Sequence, residues 1–206
     1  MQKFDVCVIG IGTVGAFAGY YFAKKGLKTA LVDVYAPPHD KGSYHGDTRI
    51  FRIAYGEGEK YIPMLKRAFD LWGEFEKETN TKLFERCGVI NIGHKNSDFM
   101  INIINSVNDY KLDCEIIDKK EIENRYKFFV PNDFIGVYER NTGYVYSDKS
   151  VITASNEAIK LGAKEYYNEE IKEIKKNADS YVIISKNYMF ETKNIVLTAG
   201  TYSDEI

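Results

Sequence analysis

No run of apolar residues in this 206-residue chain approaches the roughly 18 needed to cross a bilayer, so a membrane-spanning helix is not expected. Charge of one sign is missing as well. Lys and Arg number 28 against 30 Asp and Glu, which leaves no basic surplus for nucleic acid or an anionic lipid surface. Cysteine is scarce, and Cys7, Cys87 and Cys114 are an odd number in apolar surroundings without a Cys-x-x-Cys. That excludes a disulfide framework, and reduced, buried thiols of a cytoplasmic protein are expected. Three scattered histidines, His39, His45 and His94, make no metal site. The N-terminal "MQKFDVCVIG" enters a strand directly, without the basic and apolar regions of a signal peptide. Repeats and low-complexity segments are lacking too.

What is present is a 44% hydrophobic chain, long enough for one large domain or two intimately linked ones. "KFDVCVIG" is a Val- and Ile-rich run ending in glycine, the pattern of a buried strand. "TVGAFAGYYFAKKG" follows as a helix stopped by Gly26, and "KTALVD" is the second strand. From Val34 to about Glu59 no element is evident. "GEKYIPMLKRAFDLWGEFEKE" then places Tyr61, Met64, Leu65, Ala68, Leu71, Trp72 and Phe75 on one helical face, with Pro63 tolerable in the first turn.

"LFERCGVINIG" reads as a strand. "SDFMINIINSVNDY" reads as a helix capped by Ser97, with Phe99, Met100, Ile103, Ile104 and Val107 inward. "CEIID" is a strand leading into a short helix capped by Asp118, and "FIGVYE" and "GYVYS" are candidates to pair. A helix over "SDKSVITASNEAIKLGA" is expected to be capped by Ser147 or Asp148 and to end at Gly162. "KEYYNEEIKEIKK", "SYVIISK", "MFETK" and "NIVLTAG" read as successive strands. The class is α/β.

The sharpest local motif is Gly10-Ile11-Gly12-Thr13-Val14-Gly15, between a strand and a helix. Gly10 permits the tight turn, Gly12 lets backbone approach a pyrophosphate, and Gly15 allows close packing of helix on strand. The helix N-terminus presents free N–H groups and a positive dipole end to phosphate. Asp33, closing the second strand about 20 residues on, stands where a ribose-hydroxyl acceptor belongs. These features point to a dinucleotide and do not separate FAD from NAD. The terminal "NIVLTAG" fits a strand that brings its glycine beside a flavin cofactor, and equally an ordinary buried strand with a glycine turn.

The stretch "GSYHGDTRIFRIAYGEGEKY", residues 42–61, collects a histidine, two arginines three residues apart and several glycines. A gap this long without regular structure is usually functional or disordered. An arginine fork can bind a carboxylate bidentately or stabilise charge on a neighbouring ring. Arg49 and Arg52 can equally pair with Asp47, Glu57 or Glu59 in a salt-bridged loop. Composition leaves both readings open.

The same stretch closely resembles the "GSHHGDTRIIRHAYGEG" signature of the monomeric sarcosine oxidase and N-methyltryptophan oxidase family, among the D-amino-acid-oxidase-like flavoproteins. The similarity runs from the first strand through "GIGTVGAFAGYYFAKKG", "DVYAPPHDKGS" and "LKRAFDLW", and more weakly to "LTAGTYSDE". It implies an FAD-dependent oxidase of N-methyl amino acids, giving an imine that hydrolyses to amine and formaldehyde, and hydrogen peroxide from oxygen. It also implies a Rossmann-like FAD-binding domain, a parallel sheet with a β-meander, over residues 1–83 and 147–206. Residues 84–146 would then be part of a mixed-sheet substrate domain. By matching residues, Gly10, Gly12, Thr13, Val14, Gly15 and Asp33 would hold the ADP portion of FAD. His39, Gly42, Ser43, Thr48 and Arg49 would lie along the cofactor, with Arg49 close to its ring system. Arg52 would take the substrate carboxylate, and His45 would sit near the flavin. Ile171 matches an adenine-contacting position, and Ala199 and Gly200 match the second FAD strand.

Tyr44 replaces the first of the family's paired histidines, Ile53 replaces another histidine, and "GTY" stands where "GAW" is usual. The first two departures are expected to bear on substrate preference and not on cofactor chemistry. The family's chains are nearly twice as long. Their remaining half brings the cysteine bonded to flavin, the lysine that promotes reaction with oxygen, and most of the substrate pocket. Cys7, Cys87 and Cys114 match no flavin-attachment position. The expectation is therefore an enzyme portion that needs a complementary C-terminal polypeptide or self-associates. The alternatives are a FAD-binding fragment without turnover and, on the glycine motif alone, an NAD(P)-dependent dehydrogenase.

Overall fold

The computed structural model describes residues 1–206, the side chain of Glu205 excepted. In chain order it opens with β1 (Gln2–Ile9), α1 (Thr13–Lys24), β2 (Thr29–Asp33), β3 (Thr48–Phe51) and α2 (Ile62–Thr79). Next come β4 (Phe84–Glu85), β5 (Val89–His94), α3 (Asp98–Tyr110), β6 (Cys114–Ile117) and α4 (Lys119–Tyr126). It closes with β7 (Phe134–Glu139), β8 (Gly143–Tyr146), α5 (Ser147–Lys160), β9 (Lys164–Tyr167), β10 (Ile171–Lys176), β11 (Tyr181–Ser185) and β12 (Met189–Leu197). Among the described residues, no helix is long and apolar enough to cross a membrane.

Two compact units result, Met1–Thr48 with Tyr146–Ile206, and Arg49–Val145. The changeover lies at residue 48, not at the expected residue 83, so α2 belongs with the second unit. An amphipathic helix carries no local mark of which core it will join, which is why the pattern over 59–79 did not reveal this.

In the first unit six strands run in the order β10-β11-β12-β1-β2-β9. β12, β1, β2 and β9 are parallel, and β10, β11 and β12 form an antiparallel meander. The apolar run of β1 is buried because a strand inside a parallel sheet has both faces covered. One face holds Phe4, Cys7, Ile9, Ala30, Val32, Tyr166, Ile183 and Phe190. The rings of Tyr166 and Phe190 stand 4.5 Å apart, and Phe4 meets each edge-on at 6.1 Å. Burial of each such large side chain contributes about 1.5–3 kcal/mol. α1 packs against α5, and Gly19 lets α1 approach Leu31 of β2.

Several local expectations change. "MFETK" and "NIVLTAG" fuse into the single strand β12, because parallel pairing with β1 runs through both. "KEYYNEEIKEIKK" divides into β9 and β10, which lie on opposite edges of the sheet. α5 has no side-chain cap; its N-cap is Tyr146, and the Ser147 hydroxyl instead donates to the Gly46 carbonyl at 2.7 Å.

The second unit contains two three-stranded sheets, β3-β8-β4 and β5-β7-β6. β3 falls inside the stretch expected to lack elements. "FIGVYE" and "GYVYS" do not pair with each other, because β5 and β6 already take both edges of β7. "LFERCGVINIG" splits into β4 and β5, since the Gly88 N–H leaves the ladder for the Thr142 carbonyl. Ser97 and Asp118 cap α3 and α4 as expected, accepting from the Met100 and Glu121 N–H groups. Met64 and Phe99 are exposed, not inward.

The thiols also depart from expectation. Cys7 is buried and Cys114 half-buried, and burial pushes each up to about 12, so neither is a nucleophile near neutrality. Cys87 is exposed.

Candidate functional site

The turn from β1 to α1 is fixed from two sides. The Gly10 N–H donates to the Val32 carbonyl at 2.9 Å, and the Thr198 hydroxyl donates to the Gly10 carbonyl at 2.7 Å. Gly10 has φ +91°, and a side chain there would come within 2.6 Å of the Ala199 backbone. A side chain on Gly15 would overlap the Gly10 carbonyl oxygen. Both glycines are thus demanded by the fold itself. Gly12 is different: its φ is −78°, and a methyl group would make only an ordinary 3.6 Å contact with Tyr44. Glycine at 12 leaves room for something outside the protein.

That room lies over the start of α1. The helix has no side-chain cap and no acidic residue in its first turn, so its leading N–H groups and positive dipole end are open to an anion. A cavity of about 580 Å³ spreads from there. Gly10, Gly12, Thr13, Val14, Asp33, His39, Gly42, Ser43, Ile171, Ala199 and Gly200 line it. Gly15 lies beneath the turn, whereas His45, Thr48 and Arg49 are not in the lining.

Asp33 does two jobs within the protein. One carboxylate oxygen accepts the Ile11 N–H and the other accepts the Tyr35 N–H at 3.0 Å. A carboxylate has capacity for about four acceptances, so two remain for a ligand. His39 stands beside it. The Lys41 N–H donates to His39 Nδ1 at 3.2 Å, which places the proton of the neutral ring on Nε2. That atom is buried without a hydrogen-bond partner, 3.9 Å from Asp33. An unpaired buried donor at a cavity wall fits a hydroxyl or phosphate oxygen.

Tyr35, Tyr44, Glu169, Glu170, Thr198 and Tyr202 also line the cavity, and sequence reasoning gave none of them this place. The Tyr44 hydroxyl accepts the His39 N–H at 3.1 Å, pinning the loop that carries His39. Glu169 accepts from the Ser185 hydroxyl at 2.8 Å, the Asn187 N–H at 2.9 Å and the Asn187 side chain at 2.6 Å. Burial works against its charge, but those donors outweigh burial and hold the carboxyl below its ordinary value. The departure from the paired-histidine signature marked Tyr44; no local signal marked Glu169.

In the second unit Arg52 has a partner from the acids foreseen for it. Its guanidinium meets Glu57 at 2.6 Å and lies 5.1 Å from the Tyr55 ring centre and 5.8 Å from that of Phe99. Arg49 and His45 are exposed, and His45 Nδ1 is 2.9 Å from the Gly42 carbonyl oxygen. Among the described residues no group of three or more His, Cys, Asp or Glu side chains is placed to hold a metal ion.

The sequence profile of the family described as FAD dependent oxidoreductase matches residues 5–206. The chain belongs to that family. The chain is 38% identical over all 206 residues to the N-methyl-L-tryptophan oxidases of Yersinia pestis (strain Pestoides F) and Yersinia pseudotuberculosis (serotype O:1b, strain IP 31758). It spans 56% of their length. Among solved structures, NikD, an unusual amino acid oxidase essential for nikkomycin biosynthesis, matches at a TM-score of 0.90 with 19% identity, over the whole chain and 53% of NikD. Glycine oxidase from Geobacillus kaustophilus matches at 0.82 with 16% identity, over 98% of this chain and 57% of its own. These structural likenesses speak for the fold. FAD is the family's cofactor, and the uncapped helix start, the room left at Gly12 and the unpaired His39 donor fit it.

Proposed function

We propose that the unit Met1–Thr48 with Tyr146–Ile206 holds FAD and that Arg49–Val145 contributes part of the substrate domain of an N-methyl amino acid oxidase. The observation that carries this reading is the cavity over the uncapped start of α1, with Asp33 and the His39 donor in its wall. The α1 N–H groups would take the pyrophosphate, Asp33 a ribose hydroxyl, and Ile171 the adenine. Ala199 and Gly200 would lie beside the cofactor, and Gly42 and Ser43 along it. Thr48, Arg49 and His45 are proposed for the flavin end and Arg52 for the substrate carboxylate.

When bound, FAD would supply the acceptor for the hydride equivalent of the N–Cα or N-methyl C–H bond. The protein's part is orientation and charge. Arg52 would grip the carboxylate through its planar fork, so Glu57 must give up that fork to substrate. The chain spans 56% of the length of its N-methyl-L-tryptophan oxidase relatives, so turnover is proposed for an assembly that also contains the complementary C-terminal region.

The test begins with the purified chain. It is expected to bind FAD, with the yellow absorbance of oxidised flavin, and to form peroxide from sarcosine-like substrates only after addition of a complementary C-terminal polypeptide. Uptake of NADH without FAD would overturn the cofactor assignment. In the reconstituted enzyme Arg52→Lys keeps the charge and loses the fork, so turnover of amino acids should drop far more than turnover of a decarboxylated amine. Equal losses would leave Arg52 as a structural partner of Glu57.

A further inference from the structure

Glu139 is a buried carboxylate, 4% exposed, at the end of the central strand β7, opposite Val89 of β5 and Cys114 of β6. Such a group is retained in a core only when something specific holds its charge. Its Oε2 accepts the Ile53 N–H at 2.8 Å, and the Ala54 amide adds to the favourable electrostatics of the carboxylate. Both amides lie directly after Arg52. Its Oε1 is buried without a hydrogen-bond partner, and so is Nε of Arg52. One orphaned acceptor and one orphaned donor therefore belong to two oppositely charged side chains that feel each other.

We propose that Glu139 is the positioning residue for Arg52: it clamps the backbone directly after the arginine and supplies a fixed, buried negative charge near it, leaving the outer nitrogens for a carboxylate. The outer nitrogen NH2 makes the bond to Glu57, and the guanidinium lies near the Tyr55 and Phe99 rings. Glu139 sits on a strand with both neighbours filled, whereas Glu57 is on an exposed loop. The fixed partner is the buried one. The charged or titratable groups around Glu139 are Arg52, with Glu57 beyond it, and Cys114, whose thiol stays neutral. Burial raises the Glu139 carboxyl above its ordinary value, while the Ile53 and Ala54 amides and Arg52 pull it back. Its charge is therefore present above that raised midpoint and lost below it.

The inference rests on the reading of Arg52 as the carboxylate-binding residue, but its test contains no substrate, so the two can fail separately. Amide exchange and the arginine Nε–H resonances would be recorded by NMR on the labelled 206-residue chain. Glu139→Gln is expected to speed exchange at Ile53 by several-fold to about ten-fold, because a charge-assisted hydrogen bond becomes a neutral one, with the Asn91 and Val137 amides unchanged. In the Glu57→Gln chain the Arg52 Nε–H resonance should follow the Glu139 titration, and no carboxyl titration once Glu139→Gln is added. Should Glu139→Gln not fold, Arg52→Met serves instead, and the Glu139 carboxyl carbon should then titrate about one pH unit higher. Unchanged exchange at Ile53, a titration at Arg52 that survives Glu139→Gln in the Glu57→Gln chain, or an unmoved midpoint in Arg52→Met would overturn the proposal.

Discussion

Replacing Gly15 by alanine is expected to lower the melting temperature by roughly 6–12 °C, the shift that a loss of about 3 kcal/mol produces in a chain of this size. The new methyl group would overlap the Gly10 carbonyl oxygen, and the nearest side-chain neighbour, the Thr198 hydroxyl, lies 2.7 Å away. Neither can yield cheaply. The Gly10 carbonyl already accepts from Thr198, and Thr198 is tied to Ile9 through its N–H at 2.8 Å. The remaining response is for α1 to lift from β1, which gives up packing at Ala16 and Tyr20 and moves the helix start away from the cavity. FAD affinity should fall with stability. An unchanged melting temperature, followed by circular dichroism, would show that the helix relaxes without penalty and that the fold does not need the close approach.

Asp33→Ala is expected to weaken FAD binding by about 1–3 kcal/mol, roughly 5- to 150-fold, for the loss of one charged hydrogen bond to the ligand. The structure adds a second consequence. The same carboxylate holds the Ile11 and Tyr35 N–H groups, so alanine frees both and loosens the glycine turn. Asp33→Asn separates the parts, because the amide keeps one acceptor oxygen and loses the charge. Flavin fluorescence titration of both variants reads the difference. If alanine and asparagine bind FAD as tightly as the wild type, the carboxylate faces no ribose and serves the turn alone.

The elements that could be read in advance are those whose causes lie within a few residues. The apolar run of β1, the glycine turn, the stop of α1 before Gly26 and the caps at Ser97 and Asp118 are local, since each hydrogen bond or side-chain rhythm involved spans a turn or so. The dinucleotide motif was legible for the same reason: strand, glycines and helix follow one another directly. The resemblance of residues 42–61 to a known signature implied a ligand-binding role for Arg52, which composition left open between a ligand and Glu57.

Everything that joins distant residues waited for the tertiary structure. Thr198 reaches Gly10 across 188 residues, and Glu139 reaches Ile53 across 86. Single-sequence patterning has no term for such pairs. β12 became one strand because β1 offers a continuous parallel partner, and "FIGVYE" turned away from "GYVYS" because a strand has only two edges. Cys87 lies exposed because the chain leaves the ladder at Gly88. Glu169 resembles any surface acid in sequence; Ser185 and Asn187 alone make it part of the cavity wall. A charged residue's role depends on which donors surround it once the chain is closed, and that is decided by packing.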